Sequence, residues 1–249
     1  MKPTVLVTGG AKRLGAAICE AFGEAGWHVI VHYGRSADEA DRLAASLPSA
    51  ETVQCDLGDT DSAEAMVGEL AARLDNWRVL VNCAGVFHED TANGFDPDVF
   101  DEAMRVNTAS PARMSQAFLA RAQATGGRRL IQVTDQKLLN PNPDFFSYTM
   151  SKHALDATVR MLAMVQADPR DRVYGLAPGA ILASHDQTES EAEVSHRLNL
   201  LDRRTEAGEI AGAALFLTEG WLASGETLLI DSGQHLLPQP RDVLYLARE

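Results

Sequence analysis

Tyr148-Thr149-Met150-Ser151-Lys152 sets a phenol and an ammonium four residues apart, a spacing that brings both to one face of a helix. Free tyrosine titrates near pH 10 and is a poor acid–base group at neutral pH. A lysine cation within about 4–6 Å favours the phenolate and lowers that value. Tyr148 and Lys152 therefore read as a proton-handling pair. The spacing is common by itself, and its weight comes from what precedes it.

Thr8-Gly9-Gly10-Ala11-Lys12-Arg13-Leu14-Gly15 follows a short apolar run and opens a segment of helical period. Glycines let the backbone turn tightly against a pyrophosphate, and a helix N-terminus offers free N–H groups and a positive dipole. Such a turn can be purely structural. Three later stretches favour a dinucleotide. In His32-Tyr33-Gly34-Arg35-Ser36 there is no acid to accept from an NAD ribose before Asp38. Arg35 and Ser36 suit a 2′-phosphate instead, the alternative being that Arg35 solvates a turn. Cys55-Asp56-Leu57 offers a carboxylate to an adenine amino group. Asn82-Cys83-Ala84-Gly85 offers small residues past which a cofactor can lie. The expected cofactor is NADPH/NADP+, with Gly9, Arg13, Leu14, Gly15, Tyr33, Arg35, Ser36, Asp56, Leu57, Asn82, Ala84 and Gly85 as its candidate contacts.

These residues need a scaffold that lines up strand ends. Thr4–Thr8, His28–Tyr33, Thr52–Cys55, Val79–Val81, Leu130–Thr134, Arg172–Leu176 and Thr227–Ile230 read as strands. Helical period is predicted on the face Leu14, Ile18 and Phe22, and over Ala37–Leu47, Ser62–Leu74, Pro97–Val106, Ser110–Ala124, Ser147–Val165 and Ala207–Leu217. Near-continuously apolar strands alternating with helices imply parallel strands buried on both faces. The expected fold class is α/β: one Rossmann-like, doubly wound parallel sheet of about seven strands with helices on both faces. Residues 1–249 are read as a single domain. The polar stretch Ser184–His196 interrupts the alternation. It is either a disordered surface loop or a substrate lid, and its place past a strand's carboxyl end favours a lid around residues 184–200.

The chain has 249 residues, 45% hydrophobic and 23% charged, with a formal charge of -13. An acidic surface repels phosphate backbones, so no nucleic-acid partner is expected. Cys19, Cys55 and Cys83 show no metal pattern and read as buried free thiols of a reducing compartment, with no metal site. The apolar run before the glycines is too short for a secretory segment, and no stretch approaches the roughly 20 residues of a membrane span. A cytoplasmic protein without a membrane partner is expected.

Taken together, TGGAKRLG, Asp56, NCAG, Asn107, Tyr148/Lys152 and Pro178-Gly179 stand in the order of the short-chain dehydrogenase/reductase family, which the whole chain resembles. The resemblance implies that Tyr148 gives or takes the proton, and that Lys152 holds the nicotinamide ribose and tunes Tyr148. It implies that Asn107 supports a water relaying protons to Lys152, and that Tyr148, Lys152, Pro178 and Gly179 also border the cofactor. It further implies a homotetramer built through Ser110–Ala124 and Ser147–Val165.

The departures narrow the branch. Asp135 stands where the family usually has a serine, Arg13 where many members have a second glycine, and Ala183 where a threonine often follows Pro-Gly. With the HY-x-RS stretch and YTM-x-K, these features are similar to pteridine reductases and dihydromonapterin reductases. That similarity implies that Phe87 stacks a pterin and that Arg13, Phe87, Asp135 and Tyr148 contact the substrate. Gly85 departs from the branch's serine. Charge favours the same branch: an ionised Asp135 would oppose the negative oxygen of ketone reduction but assist protonation of an imine nitrogen. The alternatives are that Asp135 pairs with Arg13 or Lys137, and that Phe87 packs a lid. The expected activity is NADPH-dependent reduction of a 7,8-dihydropterin or dihydrofolate-type C=N bond in a small-molecule substrate. A carbonyl or 3-oxoacyl-thioester reductase is the second reading, and a non-catalytic NADP-sensing protein a remote third.

Overall fold

Successive strand residues point to opposite faces of a sheet, so an unbroken apolar strand feeds two cores at once. In β1 (Thr4–Val7), Val5 and Val7 join one buried cluster while Leu6 joins the other. The computed structural model describes residues 2–183 and 187–248. Beyond β1 the chain runs α1 (Arg13–Glu24), β2 (His28–Tyr33), α2 (Ala37–Ser46), β3 (Ala50–Gln54), α3 (Thr60–Arg73), β4 (Trp77–Asn82) and α4 (Pro97–Met104). It continues through α5 (Ser110–Arg121), β5 (Arg129–Val133), α6 (Phe146–Met164), β6 (Arg172–Pro178), α7 (Glu189–Ser195), α8 (Ala207–Glu219), β7 (Thr227–Ile230) and α9 (Val243–Leu246).

The seven strands form one sheet in the order β3-β2-β1-β4-β5-β6-β7, and every pairing is parallel. The Rossmann-like α/β reading holds. Ile18 and Phe22 of α1 and Ile210 and Leu217 of α8 cover one face with Val5, Val7, Val29 and Val31. Met66 and Leu70 of α3, Met114 and Phe118 of α5 and Val159 of α6 cover the other with Leu6, Ile30, Leu80 and Leu130. Strand order reverses between β1 and β4, and a sheet of this type opens a crevice at the carboxyl ends where that happens.

Element boundaries shift by a few residues from those read in the sequence, and two segments differ in kind. The helices predicted over Pro97–Val106 and Ser110–Ala124 join through a π-helical turn, Arg105–Ala109, that carries Asn107. Within Ser184–His196, residues 184–186 lie outside the described residues, and α7 follows them. Its start is fixed by a capping box, Thr188 Oγ1 accepting from Glu191 N while the Glu191 carboxylate accepts from Thr188 N. No helix among the described residues is long and apolar enough to cross a membrane.

Candidate active site

The turn after β1 is built for close backbone approach. Gly9 has φ +65, and a Cβ there would meet Ala84 Cα at 3.0 Å. A Cβ at Gly15 would fall 2.2 Å from the Gly9 carbonyl oxygen. Arg13 opens α1 with φ 54, and no side chain caps that helix N-terminus. Thr8 Oγ1 accepts from Cys83 N at 2.9 Å and Ala84 N at 3.0 Å, fastening the end of β4 beside the turn. Gly9 N donates to His32 Nδ1 at 3.0 Å, and His32 Nε2 reaches Cys55 O at 3.1 Å. Burial lowers the His32 pKa to about 4, so a neutral imidazole bolts three strand ends together. Open N–H groups, a cradle that a Cβ would fill and a positive helix end fit a dinucleotide pyrophosphate. Neither Thr8 nor His32 stood out in the sequence, because their partners lie on other strands.

The rest of the candidate cofactor surface divides in two. Arg35 is exposed and makes no ion pair or side-chain hydrogen bond among the described residues, and Ser36 begins α2 without using its hydroxyl as a cap. Both side chains remain available at the tip of β2, beside Tyr33. Lys12 pairs with Glu39 at 2.8 Å on the same rim. Asp56 is exposed and accepts from Gly58 N, and the buried Leu57 gives its carbonyl to Ser110 Oγ. The Asn82 side chain turns inward. Its amide donates to Gln132 Oε1 at 2.8 Å and Ser115 Oγ at 3.1 Å inside the core, so only its backbone can border a cofactor. Pro178 and Gly179 end β6 on the cavity wall with Leu14 and Gly85.

That wall encloses a cavity of about 390 Å³. Asp90, from the loop after β4, accepts from Ser147 N and Ser147 Oγ and so fixes the start of α6. One turn of α6 then presents Tyr148 and Lys152. Tyr148 Oη donates to Asp135 Oδ2 at 2.7 Å, and Asp135 Oδ1 accepts from Lys137 N at 2.8 Å. Lys152 Nζ donates to Val133 O at 2.7 Å and stands 5.7 Å from the Tyr148 ring centre. Asn107 accepts from Val86 N and donates to Val86 O and Ser151 Oγ, locking the strand-end loop to α6.

Electrostatics here overturn one expectation. Burial, reinforced by the adjacent Asp135 carboxylate, holds the Tyr148 pKa well above its usual value, where a lowered one was predicted from Lys152 alone. Burial also raises the Asp135 carboxyl and lowers the Lys152 ammonium. A phenol and a carboxylate removed from bulk water resist losing both protons. The group facing the cavity is a protonated tyrosine with an acid behind it.

Phe87 stacks on Phe145 at 3.9 Å and meets Tyr148 edge-on at 4.7 Å, while lining the cavity. Arg13 Nη2 donates to Ala183 O at 2.9 Å and more weakly to Leu182 O, at the cavity mouth. Asp135 takes only the backbone N–H of Lys137, whose ammonium pairs instead with Asp242 at 2.7 Å. Through that pair, and through Arg241 to Asp144 at 2.8 Å, the C-terminal segment folds over its own chain's cavity. No sequence signal linked Lys137 to Asp242. Among the described residues no cluster of His, Cys, Asp or Glu could hold a metal ion.

Residues 9–235 match a family model described as enoyl-(acyl carrier protein) reductase. Pteridine reductase 1 of Leishmania tarentolae is 29% identical, the alignment covering 94% of this chain and 96% of that protein. A putative ketoacyl reductase 2 of the granaticin polyketide synthase of Streptomyces violaceoruber is 28% identical, covering 94% and 97%. The crystal structure of FolM alternative dihydrofolate reductase 1 from Brucella suis, in complex with NADP, superposes with a TM-score of 0.88 at 33% identity, covering 96% of each chain.

Proposed function

This chain belongs to the short-chain dehydrogenase/reductase family, and from that premise we propose that it uses NADPH to reduce the C=N bond of a dihydropteridine. The observation that carries the reading is the hydrogen bond from Tyr148 Oη to the enclosed Asp135 carboxylate. When bound, NADPH supplies the hydride to the ring carbon. Gly9, Gly15 and the open end of α1 would hold the pyrophosphate, with Arg35 and Ser36 at the 2′-phosphate and Asp56 at the adenine. Lys152 would hold the nicotinamide ribose, and Asn107 keeps α6 and the Val86–Phe87 backbone in register with it.

Reduction of C=N also requires one proton on nitrogen. Tyr148 Oη delivers it as Asp135, protonated more readily than an exposed acid, returns a proton to the phenol oxygen. Asp135 ends ionised, stabilised by the Lys137 backbone N–H and the nearby Lys152 ammonium. Phe87 stacks the flat ring, and Arg13 at the mouth anchors the substrate or a cofactor phosphate. The pteridine reductase and FolM relatives support this reading.

A second reading, a carbonyl or 3-oxoacyl-thioester reductase on the same residues, is favoured by the ketoacyl reductase relative. Asp135→Ser separates the two. Dihydropterin turnover should collapse while ketone turnover holds or rises, and retained dihydropterin turnover contradicts the imine role. The chain's three free cysteines support a cytoplasmic setting. Exposed Met150, Met161 and Met164 on α6 support a homotetramer. The segment containing α7, which contributes Ser195 to the cavity wall, supports the lid.

A further inference from the structure

Among the described residues, four buried side-chain atoms have no hydrogen-bond partner: Arg78 Nε, Asn82 Oδ1, Gln136 Oε1 and His196 Nδ1. The first two lie away from the cavity. Gln136 and His196 both line it, and they are only 4% and 3% exposed. A buried polar atom without a partner is costly and is rare in folded proteins. Two such atoms in the wall of one cavity mark groups kept for a ligand. They also come from different parts of the fold: Gln136 begins the short turn after β5, and His196 ends α7.

We propose that Gln136 and His196 form a subsite for an uncharged, hydrogen-bonding substituent of the substrate, of which a short hydroxylated side chain is the simplest kind. This deepens the dihydropteridine reading and rests on it.

Charge sets the class. The cations lining the cavity are already engaged: Lys137 with Asp242, Lys152 with Val133 O, and Arg13 with Leu182 O and Ala183 O. The carboxylates are engaged too, Asp135 by Tyr148 and Asp242 by Lys137. Burial, with the Arg204 guanidinium nearby, lowers the His196 pKa and keeps its imidazole neutral at pH 7. Neither of the two unpartnered atoms carries charge, so an ionic substituent gains nothing from this pair. A hydroxyl meets an amide oxygen that accepts and a neutral ring nitrogen that completes the pair. Because His196 closes α7, filling this subsite would also tie the lid to the loop after β5.

Two probes that differ in one substituent test the subsite on the intact protein: dihydrobiopterin, which bears a dihydroxypropyl group, and 6-methyl-7,8-dihydropterin. For the unmodified chain, KM should be about tenfold lower with dihydrobiopterin, the effect of one or two net hydrogen bonds, with kcat little changed. Gln136→Met and His196→Leu should each raise KM for dihydrobiopterin and leave the methyl compound unaffected. Calorimetric affinities of biopterin and 6-methylpterin for the NADP+-loaded protein should differ in the same sense. Equal KM values in the unmodified chain overturn the subsite without recourse to any variant, and so do folded variants that keep the preference. Turnover of neither dihydropterin overturns the dihydropteridine reading and the subsite together. Turnover of both without preference overturns the subsite alone.

Discussion

Tyr148 Oη and Asp135 Oδ2 stand 2.7 Å apart at the cavity wall, the phenol donating and the carboxylate accepting. Burial pushes both groups toward their protonated forms. The pair therefore stores a proton, which is what a reductase acting on C=N has to deliver.

Asp135 ties rate to pH. Its raised pKa means that the extra proton is present on the acid side and is lost as pH rises through that value. In the reductive direction kcat/KM should fall along that limb. Asp135→Asn should remove the limb and lower the rate by about 10²–10⁴-fold. Stability should fall over the same pH range. A raised native pKa contributes stability below the unfolded value near 3.8 and loses it as the carboxylate ionises. Asp135→Asn should therefore melt at a higher temperature than the unmodified chain at pH 8.

Gly15 has no room for a methyl group, because its Cβ would lie 2.2 Å from the Gly9 carbonyl oxygen. Gly15→Ala should distort the turn, cost about 1–3 kcal/mol of stability and abolish NADPH binding. Urea denaturation and fluorescence titration with NADPH would measure the two effects.

Arg35 is read as the 2′-phosphate residue. Removing a charge-assisted contact of about 1.5–3 kcal/mol, Arg35→Ala should weaken NADPH binding by about 10–100-fold and leave NADH binding unchanged. Equal losses for both nucleotides would assign Arg35 to the turn alone.

Lys137 and Asp242 are a buried ion pair, 5% and 11% exposed at their side chains. Removing one partner strands the other, so Lys137→Met should cost about 3–5 kcal/mol. Adding Asp242→Leu should recover much of that loss, as read by urea denaturation. The C-terminal segment forms part of the cavity wall, so both variants should also raise KM for the substrate.

Much of this architecture is legible in the sequence. Apolar runs such as Thr4–Val7 and His28–Tyr33 carry the parallel sheet, and the glycines around Arg13 mark the turn that follows β1. What depends on distant partners is not legible. Asn82 is legible as the end of a strand, whereas the inward turn of its amide toward Gln132 and Ser115 depends on what the sheet brings beside it. The Tyr148 pKa is misread because a helix shows Lys152 one turn away, whereas burial and Asp135 are supplied by tertiary packing. The α7 segment lacks a strong apolar period, and its signal is the capping box of Thr188 and Glu191. The pairing of Lys137 with Asp242 left no local trace, since nearness in sequence offered Asp135 as the partner of Lys137.

The most direct test follows NADPH oxidation by the unmodified protein with a 7,8-dihydropterin and, separately, with an acetoacetyl thioester. Turnover of the dihydropterin with little or none of the thioester is the expected result, and it would support Asp135 and Tyr148 as a proton relay to nitrogen. Turnover of the thioester alone would contradict the imine chemistry assigned to Asp135, while leaving the fold and the family in place.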